Sequence, residues 1–180
     1  MNWIRSITYG PLYGGANAGV LSFTVQFNGH DPDMDKSEMA ETVIKLRSYG
    51  GRKVVNLLGV FPGNDSYMYT FCRALRDSGF KIIAHSKGQI YHSWFTLVDW
   101  LVVENSGEPW MVFKCSEVIF TWDGEAGFPE VTPELQTTQF VLRPDALTDP
   151  DRQILTALNR AGEAWRLFVE PEHRIIQKVL

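Results

Sequence analysis

Residues 53–59, with the sequence Lys53-Val54-Val55-Asn56-Leu57-Leu58-Gly59, decide the fold of this chain. The run is almost entirely apolar, which is typical of a strand that is buried on both faces, as in a parallel sheet. Helical periodicity precedes it over residues 35–51 and follows it over residues 65–79, and in both places a capping residue starts the pattern and glycine ends it. The stretch is therefore predicted to be a strand between two helices.

Three further strands extend this unit into a repeating pattern. Residue types that favour β-structure predict strands at residues 20–27, 80–84 and 98–103. Residues 86–97 predict either a short helix or an irregular crossover. The alternation of strands and helices predicts parallel strands joined by right-handed crossovers. The expected fold class is α/β, either an incomplete βα barrel or an open, mostly parallel sheet with flanking helices.

The alternation is lost after residue 104. Short strands are predicted at residues 110–113, 118–122 and 139–142, a Gly- and Pro-rich loop at 124–133, a helix from Thr148-Asp149-Pro150 and a last strand at 167–169. No linker, repeat or low-complexity tract interrupts the sequence, so residues 1–180 are expected to form a single domain.

The composition argues against several classes of protein. Hydrophobic residues make up 44% of the chain and charged residues 21%, and no stretch approaches the roughly 18 apolar residues of a membrane span. The first five residues lack the basic region and apolar core of an export signal, so a cytoplasmic location without membrane contact is expected. The net charge of −4 leaves nucleic-acid binding unsupported, because phosphate binding relies on clustered Lys and Arg.

The chain has two cysteines, Cys72 and Cys115, which are far apart in the sequence. Two thiols cannot supply a site with four cysteine ligands. Both are expected to be small buried hydrophobic residues.

Short motifs occur around the predicted strands. They are Tyr9-Gly10-Pro11-Leu12-Tyr13-Gly14-Gly15 before the first strand, His85-Ser86-Lys87-Gly88-Gln89 after the third, Val98-Asp99-Trp100-Leu101-Val102-Val103 as the fourth, and Phe168-Val169-Glu170-Pro171-Glu172-His173 near the end. In order and spacing, these motifs resemble the 7-carboxy-7-deazaguanine synthases, and less specifically the activases of anaerobic ribonucleotide reductase. The resemblance implies the incomplete α/β barrel of small radical S-adenosylmethionine (SAM) enzymes.

The chain departs from that family at the positions that bind the iron–sulfur cluster. The family has three cysteines in a C-x3-C-x2-C spacing after the first strand, and the corresponding residues here are His30, Met34 and Ser37. An imidazole, a thioether and a hydroxyl do not replace three thiolates. No iron–sulfur cluster and no radical chemistry are therefore expected.

A second departure concerns the contact to the cofactor. The family's Gly-Gly-Glu-Pro motif contacts the amino group of S-adenosylmethionine, and the matching residues here are Gly59, Val60, Phe61 and Pro62. Phe61 replaces the carboxylate, so the partner of the ammonium group is missing. The two departures together imply a degenerate member of the family with no catalytic residue and no expected cofactor. Its expected role is a binding, regulatory or structural module, with another protein or a second copy of the chain as partner.

A metal-dependent enzyme is one alternative function. His30, Asp31 and Asp33 follow the first predicted strand, and His85 and Glu104 lie at the ends of the third and fourth strands. Ligand sites of α/β proteins lie at this end of the strands. Carboxylates and imidazoles could hold a divalent metal there.

Two binding functions are also open. A pocket retained from the family's fold could bind a purine- or pterin-like compound without converting it. Tyr91, His92 and Trp94 lie in a segment without clear periodicity, and they are candidates for a protein interface because aromatic side chains often anchor such interfaces.

Overall fold

The structure is a computed structural model that describes residues 3–12, 16–29, 36–105, 109–122, 134–144 and 165–167. Its elements in chain order are β1 (Ile4–Pro11), β2 (Leu21–Asn28), α1 (Lys36–Ser48), β3 (Val54–Val60), α2 (Asp65–Asp77), β4 (Lys81–Ser86), a 3₁₀ helix (Ser93–Leu97), β5 (Trp100–Asn105), β6 (Glu117–Trp122), β7 (Gln139–Pro144) and β8 (Trp165–Leu167). The eight strands form one sheet in the order of the sequence. Strands β1 and β2 pair antiparallel, and every later pair is parallel. The predicted α/β class with a mostly parallel sheet is confirmed.

The central elements of the predicted pattern are present, and only their first and last residues differ slightly from the prediction. The four strands predicted between residues 20 and 103 correspond to β2, β3, β4 and β5, and the two predicted helices correspond to α1 and α2. The crossover at residues 86–97 contains the short 3₁₀ helix. Strand β1 was not predicted, because Gly10 and Pro11 near its end are typical of a turn.

Two predictions for the part of the chain after β5 differ from the structure. Residues 110–113 do not form a strand, because the backbone N–H groups of Met111 and Val112 donate to the carbonyl oxygen of Gly88 instead of to a neighbouring strand. The last strand is described over Trp165–Leu167, so it begins two residues earlier than predicted, and residues 168 and 169 of the prediction lie outside the described residues. The predicted loop at 124–133 and the predicted helix from Thr148 lie outside the described residues.

Alternating side chains give the sheet an outer face, which is covered by the helices. Its buried residues include Phe23, Val25, Phe27, Val55, Leu57, Ile82 and Leu101 of the strands, which form one cluster with Met39, Val43 and Leu46 of α1 and Met68, Phe71 and Leu75 of α2. Each such side chain contributes about 1.5–3 kcal/mol when it leaves water. This cluster is the main core of the protein.

The opposite, inner face of the sheet is also apolar along its middle. Ile83, Val102, Ile119 and Val141 form a second cluster there, together with Leu12 from the connection between β1 and β2. Residues of β1 and of β6 line one cavity on this face, so the sheet curves around that cavity. Burial on both faces explains why the strand at residues 54–60 is an apolar run. In the described part of the chain, no helix is long and apolar enough to cross a membrane.

Gly59 is required by a close approach between β2 and β3. Its φ of 99° lies in the region that favours glycine, and a Cβ atom at this position would lie 2.3 Å from the carbonyl oxygen of Phe27. Backbone atoms of a paired strand cannot move away without loss of the ladder. Gly59 therefore has a structural role at the end of β3.

We predict that Gly59→Ala lowers the free energy of unfolding by about 2 kcal/mol or more, because it adds both backbone strain and a clash. Urea denaturation followed by circular dichroism measures the change. Gly63→Ala is the matched control, since no atom lies within 4 Å of its Cβ position and its φ is not positive. Equal stability of the two variants would contradict the assigned role.

Candidate functional site

The inner face of the sheet encloses a cavity of about 440 Å³. Its walls come from β1, the turn that follows it, and strands β2 to β6. Leu58, Ile83 and Val102 supply apolar surface, while Asn56 and Glu117 supply buried polar groups. Cavities of this size with a few polar groups on apolar walls are typical of small-molecule sites.

Asn56 is the polar residue inside the apolar run that decides the fold. Its side chain belongs to the inner face of β3, it is only 3% exposed, and it lines the cavity. Within the described part of the chain, its Oδ1 atom has no hydrogen-bond partner. An unpaired buried amide costs about 1–3 kcal/mol, so this oxygen is available to a group that enters the cavity.

Glu117 is the first residue of β6 and is 1% exposed. Its Oε2 atom accepts hydrogen bonds from the backbone N–H of Ala16 at 3.0 Å and from Nε1 of Trp100 at 3.1 Å. No described residue is a hydrogen-bond partner of its Oε1 atom. The carboxylate is thus held in place by one oxygen while the other remains a free acceptor, and it lines the same cavity as Asn56.

The strand register places Glu117 two strands away from His85, another polar residue of the cavity. Glu117 pairs with Val102, and Val102 pairs with His85 on its other side. Since neighbouring strands are about 4.8 Å apart, the Cα atoms of Glu117 and His85 are roughly 10 Å apart. Both side chains therefore lie on one row across β4, β5 and β6.

A charged cluster lies at the carboxyl ends of the strands. Nδ1 of His85 is 3.9 Å from Oε1 of Glu104, and Nη2 of Arg143 is 3.6 Å from Oε2 of Glu104. Arg143 also donates to the hydroxyl of Thr121 at 3.0 Å. These four residues are the penultimate residues of β4, β5, β6 and β7, so they occupy the edge at which α/β proteins bind ligands.

The side chains next to Glu104 change its acidity. The His85 side chain has the largest effect and, with Arg143, lowers the pKa of Glu104 below its usual value, although partial burial acts in the opposite direction. The ionised carboxylate is consequently favoured in the folded protein.

The expected metal ligands are only partly described. His30, Asp31 and Asp33 lie outside the described residues, whereas His85 and Glu104 are neighbours as their positions at the strand ends suggested. No group of three or more His, Cys, Asp or Glu side chains that could hold a metal occurs within the described ranges. The metal site remains an expectation from the sequence.

The residues expected in place of the iron–sulfur ligands and of the S-adenosylmethionine contact have different surroundings. His30 and Met34 lie outside the described residues, and Ser37 is exposed near the start of α1. Phe61 packs against Phe27 with ring centroids 5.4 Å apart and against Trp94 with centroids 4.9 Å apart. Phe61, which was expected from the resemblance to replace the carboxylate of the Gly-Gly-Glu-Pro motif, is therefore part of an aromatic cluster.

The three residues expected at an interface do not share one environment. Trp94 is fully buried in the main core, so its expected place at a surface is wrong. His92 is largely buried and bonds through Nδ1 to Oδ1 of Asp65 at 2.6 Å. Tyr91 is 56% exposed and remains a surface candidate. Trp94 lies in the 3₁₀ helix, which has too few residues to show a periodic pattern.

Asp65 links the start of α2 to the crossover after β4. Besides His92, it accepts the backbone N–H of Ser93 at 2.7 Å. Burial raises the pKa of Asp65, but the hydrogen bonds from Ser93 and His92 outweigh it and lower the pKa overall. The Asp65–His92 pair therefore fixes the end of the loop that carries Tyr91.

The two cysteines are poor thiolates. Cys72 is fully buried in the main core, as expected, and burial raises its pKa to about 12. Cys115 is half-buried, and burial is also the main cause that raises its pKa to about 11. Both residues are protonated thiols at neutral pH.

Comparison with known proteins shows a likeness in fold without a matching sequence family. No protein-family model and no curated protein sequence matches the chain. Among solved structures, QueE from Escherichia coli, a radical SAM 7-carboxy-7-deazaguanine synthase, matches with a TM-score of 0.62 and 15% identity over 91% of each chain. The enoyl-CoA hydratase of Bacillus anthracis has 12% identity and a TM-score of 0.37, over 57% of this chain and 48% of the hydratase, which is too low to indicate a common fold.

The likeness to QueE supports the fold that the resemblance implied. It spans nearly the whole of both chains, and the chain has the mostly parallel sheet expected for such a fold. At 15% identity the match establishes the architecture alone.

We predict that Glu104→Gln is less stable than the parent protein at pH 7, and that this difference shrinks as the pH falls. The folded-state pKa of Glu104 is lowered, so its contribution is present above the ordinary value of 4.5 and is lost as the pH falls through the folded pKa. Urea denaturation at pH 7, 5, 4 and 3.5 measures the difference. Glu41→Gln, which changes an exposed carboxylate of α1, is the control. If the difference in stability between Glu104→Gln and the parent protein were the same at all four pH values, His85 and Arg143 would not have the assigned role of lowering the pKa of Glu104.

Proposed function

We propose that this chain is a radical-SAM-like protein that binds a small heterocycle rich in N–H groups, without converting it. The observation that carries the proposal is that Asn56 and Glu117, both buried, line one cavity and each has an oxygen without a partner among the described residues. Such an acceptor costs about 1–3 kcal/mol when left unpaired, and more when it is charged. A ligand that donates hydrogen bonds to these oxygens removes that cost, which gives it an advantage over a purely apolar ligand.

The chemistry of the cavity favours a flat, polar ring. Leu58, Ile83 and Val102 offer apolar surface to the faces of a ring, while the carboxylate of Glu117 matches N–H groups on its edge. Purine- and pterin-like compounds combine these two features. The name of QueE as a 7-carboxy-7-deazaguanine synthase, with a similar fold, agrees with this class of ligand.

The residues of this chain do not fit an iron–sulfur cluster of the radical SAM type. That cluster needs three thiolates, and His30, Met34 and Ser37 provide none. The thiol of Cys72 lies in the main core, and burial raises its pKa to about 12. The pKa of the Cys115 thiol is raised to about 11. We therefore derive no step through a cluster, and the proposed role is binding.

The contact to S-adenosylmethionine is also unsupported. An ammonium group needs a carboxylate or other acceptor, and Phe61 offers only a ring that is already packed between Phe27 and Trp94. Filling this position with apolar contacts stabilises the fold in place of a cofactor contact.

We predict that pterin or guanine raises the melting temperature of the parent protein, because a ligand that binds the folded state stabilises it. Asn56→Leu and Glu117→Gln each weaken the interaction at least tenfold. The first removes the amide acceptor, and the second replaces one carboxylate oxygen and the charge by an N–H donor, and both roughly keep the side-chain volume. Isothermal titration calorimetry measures the affinity, and circular dichroism checks that each variant is folded. Arg73→Ala, which changes an exposed residue of α2, should bind like the parent. Binding that is unchanged in both cavity variants would sink the proposed site.

Oxygen-free reconstitution with iron and sulfide tests the absence of radical chemistry. We expect no stable absorbance of a four-iron cluster and no 5′-deoxyadenosine after addition of S-adenosylmethionine and a reductant, because the chain lacks the three thiolates. QueE, treated in parallel, is the positive control. A stable cluster that cleaves S-adenosylmethionine would overturn this part of the proposal even if a heterocycle binds.

A further inference from the structure

Two neighbouring loops expose a group of large apolar side chains. Ile90 and Tyr91 follow β4 and are 62% and 56% exposed, and Met111 and Phe113 follow β5 and are 61% and 47% exposed. We call these four residues the loop surface. None of them lines the inner cavity, so the loop surface is separate from the proposed small-molecule site.

Hydrogen bonds hold the two loops against each other. The carbonyl oxygen of Gly88 accepts the backbone N–H of Met111 at 2.8 Å and that of Val112 at 3.2 Å. Gly88 has a φ of 76°, and a Cβ atom there would lie 2.7 Å from Cγ1 of Val103. The backbone can approach β5 this closely only because residue 88 is glycine.

The far end of the first loop is also fixed. His92 bonds to Asp65 at 2.6 Å, and the ring of Tyr91 packs edge-on against Phe95 with centroids 6.1 Å apart. The loop is thus anchored on both sides of Ile90 and Tyr91. Their exposure results from a defined backbone conformation, and a preorganised apolar surface loses little conformational entropy when a partner binds.

The charges beside the loop surface indicate the chemistry of its partner. Lys87 and Lys114 adjoin the two loops in sequence and are exposed, and among the described residues neither forms an ion pair. Exposed apolar groups next to unpaired cations match a protein segment that has apolar anchors and carboxylates. Two lysines in a chain of net charge −4 give little attraction to nucleic acid.

A second copy of the chain fits this surface less well. In a twofold dimer the same patch is present on both sides, so the interface would gather four lysines, Lys87 and Lys114 of each copy, while the four residues of the loop surface offer no carboxylate to pair with them. Like charges brought together at an interface are unfavourable.

We propose that the loop surface of Ile90, Tyr91, Met111 and Phe113 is a docking site for an acidic, hydrophobic segment of another protein. The lysines steer the segment through its carboxylates, and the four apolar side chains receive its anchors. This role is independent of any ligand in the inner cavity.

Selection from a displayed library of random 12-residue peptides tests the proposal on the full chain. We expect enrichment of peptides that contain aromatic or aliphatic residues together with Asp or Glu. For a synthetic peptide from the selection, Tyr91→Ala and Phe113→Ala should each weaken binding at least tenfold. The double variant Lys87→Glu and Lys114→Glu should weaken it further and abolish its dependence on salt.

Ile44→Ala removes an apolar side chain that is 64% exposed on α1 and serves as the matched control, with unchanged affinity expected. Circular dichroism confirms folding of each variant. The proposal is overturned by failure to select any peptide, by selected peptides without acidic residues, or by affinities that do not respond to the loop substitutions. A concentration-dependent dimer mass in light scattering that Met111→Asp abolishes also overturns it in favour of a second copy.

Discussion

Parallel pairing of the strands from β2 to β8 is the constraint on which the rest of this structure depends. Parallel strands require long connections, and the helices in those connections cover the outer face of the sheet. Among the described elements, no helix covers the inner face; the sheet curves around it, and the turn after β1 adds Leu12 and Ala16. The cavity is what this curvature leaves unfilled, and polar side chains such as Glu117 occur there although apolar ones surround them.

The sequence was informative wherever burial on both faces produced apolar runs, so β3 and the elements around it were predictable from local pattern. Strand β1 was missed because Gly10 and Pro11 near its end have strong turn preferences, and only pairing with β2 overrides them. The opposite error occurred at residues 110–113, where Val112 is buried and Met111 and Phe113 are exposed on a loop that bonds to Gly88. The β-propensity of a short segment does not show whether a neighbouring strand is available to pair with it.

The candidate site was predictable to a smaller extent. His85 and Glu104 were placed close together because the ends of neighbouring parallel strands meet at one edge. Glu117 and Arg143 were missed, since they lie where the alternation is lost and their importance depends on the register of β6 and β7. Trp94 was misplaced for a related reason: its burial results from contact with Phe61, which is 33 residues earlier in the chain and leaves no local signal.

The ring of Phe61 also limits how the site can change by mutation. A glutamate at this position would place a carboxylate among the apolar rings of Phe27 and Trp94, and burial of a charge without a partner is costly. Residues 27 and 94 would have to change as well before a negative charge became tolerable. Since each single substitution along that route would lose packing, a carboxylate at residue 61 would require several coordinated substitutions in the aromatic cluster.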